Sequence, residues 1–460
     1  MSIHVDLAVI GSGSGNSIAD DSFADRQVAI LEKGVFGGTC LNYGCIPTKM
    51  FVYPADLALS AAHGPELGVG TRFEQADWRA IRDRIFTRID PISDGGRHWR
   101  AEGRPNVRLY EGQARFVGER TIDTGTGEVL TADQVVIAAG SRPVLPEIPG
   151  LDQVRFHTSD TVMRIDEQPR RLLIIGGGFV SAEFAHVFSA FGTEVTVVNR
   201  SPVLLGKEDH EVAARFTELA AQRWDLRLNR TVARLEPWSD GSAATGVRAH
   251  LDDGGTVEAD ALLVATGRRA NSDTMDLQKA DVAVDADGLV VVDEFQRTTA
   301  PGVWALGDVS NTYQLKHLSN HEARVVQHNL LHPDDLVAAS HDHVPSAVFS
   351  HPQVASVGLT EREAAESGRR YVVAKQMYAD TAYGWAMEDH TSFVKVVADP
   401  ATGLLLGAHL IGPQAANLIQ PLIQAMSLGQ TAREVARGQF WIHPALMEVV
   451  ENVLLKLPLD

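Results

Sequence analysis

The chain has 460 residues, 44% of them hydrophobic, and its 41 basic against 59 acidic side chains give a formal net charge of −18. The length suits about three domains, each able to bury a core, and the acidic balance argues against non-specific binding to nucleic acid or anionic membranes. No uncharged apolar run is long enough to cross a bilayer and no basic leader opens the chain, so a cytoplasmic protein whose domains pack directly on one another is expected.

The first element is a short buried strand, Leu7–Ile10, in "VDLAVIGSGSGN", breaking into Gly11, Gly13 and Gly15. Such glycines let the backbone turn tightly and lay a pyrophosphate against free N–H groups at a helix N-terminus. A second strand in "RQVAILEKG" ends at Glu32, 21 residues after Gly11. That is the spacing at which a carboxylate meets a ribose hydroxyl. Asn16 stands where the fingerprint usually has Gly or Ala.

Both cysteines, Cys40 and Cys45, fall in "GGTCLNYGCIPTK". A structural disulfide is disfavoured in a cytoplasmic chain, and the stretch offers no further ligands for a zinc ion. Two unrelated buried thiols remain open, but a redox-active pair is the better reading. Pro47 fits the first turn of a helix, which puts Cys45 at the N-terminus, where partial positive charge lowers a thiol pKa. Gly37, Gly38 and Gly44 leave the backbone bare enough for a flat ring to approach, and Pro54 is expected to interrupt or kink the helix.

After the apolar strand of "QVVIAAGSRP" comes a second glycine turn in "RRLLIIGGGFVSAEFAHVF": strand Leu172–Ile175, then Gly176, Gly177 and Gly178, then a helix with Ser181 in the last fingerprint position. The following strand, "TEVTVVNRS", ends in Asn199 and Arg200. A guanidinium there binds a 2′-phosphate that a carboxylate would repel, so this site suits NADPH, with Lys207 as a second cation nearby. Two more strands lie in "ALLVATGRRAN" and "PGVWALGDVS", the latter running into Gly307 and Asp308. In "GQFWIHPALMEVVENVLL", Pro444 is expected to start a helix with Leu446, Val449, Val450, Val453, Leu454 and Leu457 at apolar spacing. His443 would sit just before it, with Glu448 close enough to orient the imidazole.

In combination, "GSGSGN…LEKG", "GGTCLNYGCIPTK", "GGGFVSAEFA", "VATGRRAN", "ALGDVS" and "HPALMEVVE" resemble, in order along the whole chain, the pyridine nucleotide:disulfide oxidoreductases of the glutathione reductase and lipoamide dehydrogenase type. The resemblance implies an α/β fold with two Rossmann-like nucleotide-binding domains, for FAD and NADPH, plus a C-terminal α+β dimerisation domain. The implied division is 1–150 and 271–343 for the two parts of the FAD and central region, 151–270 for NADPH and 344–460 for dimerisation. FAD would be held by Ser14, Gly15, Glu32, Thr39, Ala114 and Asp308, with further cofactor contacts from Gly11, Gly13, Gly38, Gly140, Gly176, Gly178, Val180, Arg200, Gly267, Arg268 and Gly307. Lys49 and Glu183 resemble the ion pair near flavin N5, Phe179 the aromatic gate of the nicotinamide pocket, and Lys316–His317 the helix start facing the flavin's pyrimidine edge. The resemblance makes Cys45 the flavin-contacting thiol, Cys40 the interchange thiol, and His443 with Glu448 the acid–base pair lent by the other subunit of a homodimer. No metal is expected.

Members of the family with an extra C-terminal cysteine pair do not match, and lipoamide dehydrogenases usually carry a carboxylate where Asn199–Arg200 stand. Four stretches, "GSGSGNS", "LKHLSNHEARVVQHNLL", "AYGWAMED" and "GQFWIHPALMEVVENVLL", are similar to the branch that reduces mycothione, the disulfide of the cysteinyl pseudodisaccharide mycothiol. A glutathione-type or lipoamide-type reductase is the enzymatic alternative, and a flavin-binding subunit without catalysis is the other. Retention of Cys40, Cys45, His443, Glu448 and Arg200 favours an enzyme. The segment "MYADTAYGWAMEDHTS" has three aromatics and no Lys or Arg, which suits neutral sugar hydroxyls better than the carboxylates of glutathione.

Overall fold

The computed structural model describes residues 3–239, 241 and 246–460. Its first sheet places Ile3–Ile10 between the parallel strands Val28–Leu31 and Val129–Ile137, and adds Val107–Tyr110 beyond Val28–Leu31. These strands are apolar on both faces because the sheet is covered on both sides. The short strand Val303–Ala305 returns from late in the chain to pair with Val135–Ile137, which delivers Gly307 and Asp308 to the edge where the first glycine turn sits.

A second parallel sheet, in the order Asp225–Leu228, Glu194–Asn199, Arg171–Ile175, Ala261–Val264, Phe156–His157, carries the second glycine turn. Strands Ser141–Pro143 and Arg268–Ala270 pair antiparallel where the chain leaves and re-enters the first sheet. The C-terminal part is a five-stranded antiparallel sheet built from 346–348, 354–358, 405–411, 393–398 and 372–377, backed by helices that include Glu448–Leu455. Two Rossmann-like sheets and a C-terminal α+β unit are therefore present, as the sequence leads one to expect.

The redox helix Cys45–His63, the helix Trp78–Ala101 and the helix Phe179–Ala190 share one core. Its centre is a stack of Phe51 on Trp78 at 4.9 Å and Trp78 on Phe188 at 5.0 Å. Each such pair contributes about 0.5–1.5 kcal/mol beyond simple burial, and it fixes the redox helix against the helix that follows the second glycine turn.

Three local expectations are corrected. The first glycine turn leads into two 3₁₀ turns, Gly15–Ser17 and Asp21–Phe23, not an α-helix. The intervening "NSIADDS" is rich in side chains that compete for backbone groups, and Asp20 takes the Ser22 N–H itself. Pro54 does not interrupt the redox helix, which continues to His63. Pro444 does not start a helix: it follows a cis peptide bond in a turn, and the helix begins four residues later at Glu448. The apolar spacing holds nonetheless, with Leu446, Val449, Val450, Val453, Leu454 and Leu457 all buried.

Candidate redox active site

The first glycine turn is a cradle that side chains would fill. A Cβ at Gly11, where φ is +107°, would stand 2.2 Å from the Ala138 carbonyl oxygen. One at Gly15 would meet Ala138 Cβ at 2.5 Å, and one at Gly38 would meet Gly13 Cα at 2.7 Å. The glycine turn and the cysteine loop thus touch backbone to backbone. Glu32 closes the edge of this cradle: its Oε2 accepts from Ser12 N at 2.9 Å and Ser12 Oγ at 2.6 Å, and its Oε1 accepts from Gly34 N at 2.8 Å. Ser12 Oγ in turn accepts from Gly37 N at 2.8 Å, tying the ribose-side carboxylate to the start of the cysteine loop.

On the far side, Ser14 Oγ accepts from Lys316 Nζ at 2.8 Å and donates to Asn320 Oδ1 at 3.1 Å. Both partners lie on the helix Lys316–Leu331, whose start has no side-chain cap. His317, next along, instead bonds through Nε2 to the Pro345 carbonyl at 2.9 Å. Asp308 Oδ2 accepts from Ser141 Oγ at 2.7 Å, and Arg268 donates to that same serine at Oγ and at its carbonyl, each at 2.9 Å. Gly307 N is held by the fully buried Glu322 Oε2 at 2.6 Å, and Gly140, whose carbonyl accepts from Asn271 N at 3.0 Å, continues the same rim. Ala114 is buried in the core under the first sheet. Bare N–H groups at a glycine turn, a ribose-distance carboxylate and a second carboxylate at Asp308 fit a dinucleotide such as FAD.

Cys40 and Thr39 lie on the short helix Gly38–Asn42, and Cys45 is the first residue of the redox helix. The loop between is anchored by Asn42, whose Nδ2 donates to the carbonyls of Phe36 at 2.9 Å and Gly38 at 3.1 Å. Both cysteines are free thiols, Cys40 half-buried and Cys45 exposed. A hydrogen bond between them is the largest influence on each: it pushes the Cys40 thiol far up and brings Cys45 down to about 7. Lys49, one turn further along the helix, also lowers Cys45. Of the pair, Cys45 is therefore the thiolate near neutral pH and Cys40 keeps its proton.

Lys49 Nζ lies 2.7 Å from Glu183 Oε1, and 3.9 Å from the Phe349 ring centroid. Glu183 Oε1 also accepts from Phe349 N at 2.9 Å. Glu183 sits one turn inside the helix Phe179–Ala190, so the two glycine-turn units meet at this ion pair. That helix begins at Gly178 without a side-chain cap, with open space where a Gly178 Cβ would be, and it presents Phe179 at its exposed start. Val180 packs against the shared core. Gly176, at φ +121°, could not carry a Cβ either, because it would lie 2.2 Å from the Ala265 carbonyl oxygen.

The two strand-end residues diverge in use. Asn199 is buried, and its Nδ2 donates to the carbonyls of Ser201 at 3.3 Å and Val203 at 2.9 Å, shaping the loop that follows. Arg200 and Lys207 are exposed, and neither hydrogen-bonds nor pairs with a carboxylate among the described residues. Gly267, at φ +120°, leaves open space beside Arg268. An uncapped helix start, a glycine turn and two free cations suit a phosphorylated dinucleotide.

At the C-terminal end, His443 Nδ1 and Glu448 Oε1 are 2.7 Å apart. With Nδ1–H donating to the carboxylate, Nε2 is left to exchange protons. His443 is 72% exposed at its side chain and is preceded by Phe440 and Ile442, which are exposed at 104% and 78%. The fold thus brings the thiols, Lys49, Glu183 and both glycine turns together, and leaves the histidine on an apolar outer surface of the C-terminal unit. Ser12, Asn42, Ser141 and Asn320 went unread in the sequence. Ser12 carried a signal in its place inside the glycine fingerprint, and the others carried none.

Comparison with known proteins agrees with this layout. The pyridine nucleotide-disulphide oxidoreductase model matches residues 5–323, and that family's dimerisation domain matches residues 344–454. Mycothione reductase of Mycobacterium tuberculosis is 52% identical, over 98% of this chain and 99% of its own. Dihydrolipoyl dehydrogenase of Haloferax volcanii is 33% identical, over 98% and 96%. The solved structure of the HOCl-induced flavoprotein disulfide reductase RclA from Escherichia coli superposes with a TM-score of 0.85 at 28% identity, covering 98% of this chain and 99% of that one.

Proposed function

The chain belongs to the pyridine nucleotide-disulphide oxidoreductase family, and from that premise we propose that it reduces mycothione to mycothiol with NADPH, using FAD and the Cys40–Cys45 pair. The observation that carries the redox chemistry is the thiol pair itself: Cys45 at a helix start, lowered to about 7, beside the Lys49–Glu183 ion pair. FAD, when bound, passes two electrons from the nicotinamide to these sulfurs. The residues around both glycine turns are those proposed to hold FAD and NADPH, and the domain limits given above are proposed with them.

From the dithiol state the chain's own chemistry follows. Cys40 holds its proton, so a base must remove it before its sulfur can attack a substrate disulfide. His443 of the partner subunit is that base, held by its Glu448. Attack breaks the substrate S–S bond, forms a Cys40–substrate disulfide and releases one thiolate, which the same imidazole protonates. The Cys45 thiolate then attacks Cys40, releasing the second mycothiol as a thiolate that takes a proton from solvent, and closing the Cys40–Cys45 disulfide. One disulfide is reduced to two thiols, and one dithiol is oxidised.

Assembly as a homodimer is supported by the matched dimerisation domain and by the exposed apolar Phe440 and Ile442 just before His443, which a partner's surface would cover. Among the described residues no helix is long and apolar enough to cross a membrane; the cytoplasmic location is proposed with the similarity to mycothione reductase. The substrate is carried by the full-length similarity to mycothione reductase, and by the segment 377–392, which exposes Tyr383 and Trp385 and holds no Lys or Arg, although its third aromatic, Tyr378, is fully buried in the core and takes no part. NADPH oxidation by the purified flavoprotein on addition of mycothione is the test; no oxidation would remove the proposal.

A further inference from the structure

The absent first helix leaves a problem that four distant side chains solve. Between the glycine turn and the second strand, Ile18, Ala19 and Phe23 are buried, yet the segment closes only short-range turns and lacks the i→i+4 ladder that would occupy its carbonyls. Buried carbonyls without partners are costly. The turns leave the Asn16 and Ala19 carbonyls open, and side chains take these: Arg100 donates to Asn16 at 3.2 Å and Arg104 to Ala19 at 2.9 Å, while Gln327 at 2.8 Å and Arg104 at 2.9 Å add second donors to the Ile18 and Asp20 carbonyls. Asn106 adds the carbonyls of Phe23 and Arg26, each at 2.9 Å. Gln327 shares its helix with Lys316 and Asn320, the two partners of Ser14, so a single helix holds both ends of the turn.

Arg100 is in the last turn of the helix Trp78–Ala101, Arg104 and Asn106 lie in the segment between that helix and the strand Val107–Tyr110, and Gln327 is on the helix Lys316–Leu331. Two of these donors are cations. Arg104 is buried, and its nearest carboxylate is the exposed Asp21 at 3.6 Å. Arg100 has no carboxylate partner among the described residues, and burial lowers its pKa to about 10, still high enough to stay charged at neutral pH. A helix N-terminus beneath a glycine turn supplies oriented N–H groups and about half a positive charge. In this chain no such helix follows the turn, and guanidinium groups hold the carbonyls of the segment that stands in its place.

We propose that Arg100, Arg104 and Gln327 are positioning residues for the FAD pyrophosphate, a side-chain brace that fixes the Gly11–Gly15 turn in place of the missing helix. The proposal rests on the reading of that turn as the FAD site. None of the three touches the thiols, the second glycine turn or the acid–base pair in the hydrogen-bond network, so the brace predicts a defect confined to flavin binding.

The experiment compares FAD and NADP⁺ binding to the full chain and to its Arg104→Met and Gln327→Leu variants, using flavin fluorescence on reconstitution of the apoprotein and equilibrium titration of NADP⁺. The brace predicts an FAD dissociation constant raised about tenfold or more in each variant, with NADP⁺ affinity within about twofold of the parent. Arg104→Lys, which keeps the charge but offers a single point donor for two carbonyls, should fall between parent and Arg104→Met. Should Arg104→Met fail to fold, the milder Gln327→Leu decides the matter. Unchanged FAD affinity in folded variants, or equal weakening of both nucleotides, overturns the brace. A parent chain that binds no FAD overturns the cofactor reading and the brace together.

Discussion

Lys49 and Glu183 meet at 2.7 Å across two helices that begin at different nucleotide-binding turns. The pair also bears on Cys45, because Lys49 lowers that thiol and Glu183 raises it. Cys45 sits at about 7, so the thiolate should be present above that pH and lost as pH falls through it. In the two-electron-reduced enzyme, a thiolate next to the flavin gives a long-wavelength absorbance band whose pH titration reports this group. Lys49→Met should move the midpoint upward and Glu183→Gln downward; midpoints that stay put in both variants would detach the ion pair from thiol tuning.

The two sulfurs should separate cleanly by substitution. Cys45→Ser is expected to abolish the long-wavelength band, whereas Cys40→Ser should show it without any reductant, since the remaining thiolate has no disulfide partner. Absorbance spectra of the two purified variants decide this, and the reverse pattern would exchange their roles.

At the second glycine turn Arg200 is exposed and free of protein partners, while Asn199 is committed to shaping its own loop. Arg200→Glu should therefore raise the apparent constant for NADPH far more than that for NADH. A charge-assisted hydrogen bond contributes about 1.5–3 kcal/mol, and the new carboxylate adds repulsion. Steady-state kinetics with both nucleotides is the check, and equal effects would remove the 2′-phosphate from this site.

For His443 the half-reactions separate chemistry from packing. His443→Ala should leave flavin reduction by NADPH nearly intact and slow disulfide turnover by roughly 10²–10⁴-fold, the range for losing a general acid–base. Stopped-flow reduction measured beside turnover tells the two apart. If both slow together, the 2.7 Å contact with Glu448 serves packing rather than proton transfer.

Much of this molecule was legible because its central strands are parallel and buried, so they read as apolar runs ending on glycine. Both glycine turns, Glu32 and Arg200 came from that pattern, and the helix start at Cys45 came from Pro47. The helix expected after Gly15 failed because Asn, Ser and Asp side chains compete with the backbone there, and the compensating donors lie about 80 to 310 residues away in sequence. The helix expected at Pro444 failed because a proline fits a turn as well as a first helical position, and the apolar spacing fixes only which face is buried. The Lys49–Glu183 pair came from family resemblance, as residues 134 positions apart carry no local sign of contact. The buried Lys395, which bridges Asp209, Glu211 and Glu361 between the NADPH-side sheet and the C-terminal one, left no such sign at all.

Substrate choice is where physical chemistry and similarity make one joint commitment. Glutathione disulfide brings carboxylates and zwitterions that call for cations, whereas mycothione brings neutral hydroxyls, and a site that hydrogen-bonds hydroxyls discriminates strongly against a ligand lacking them. The decisive measurement is kcat/KM for mycothione and for glutathione disulfide with the same enzyme and NADPH, followed at the nicotinamide absorbance. Mycothione should be preferred by at least about 10³-fold; comparable efficiencies would contradict the assignment and make the protein a glutathione-type reductase.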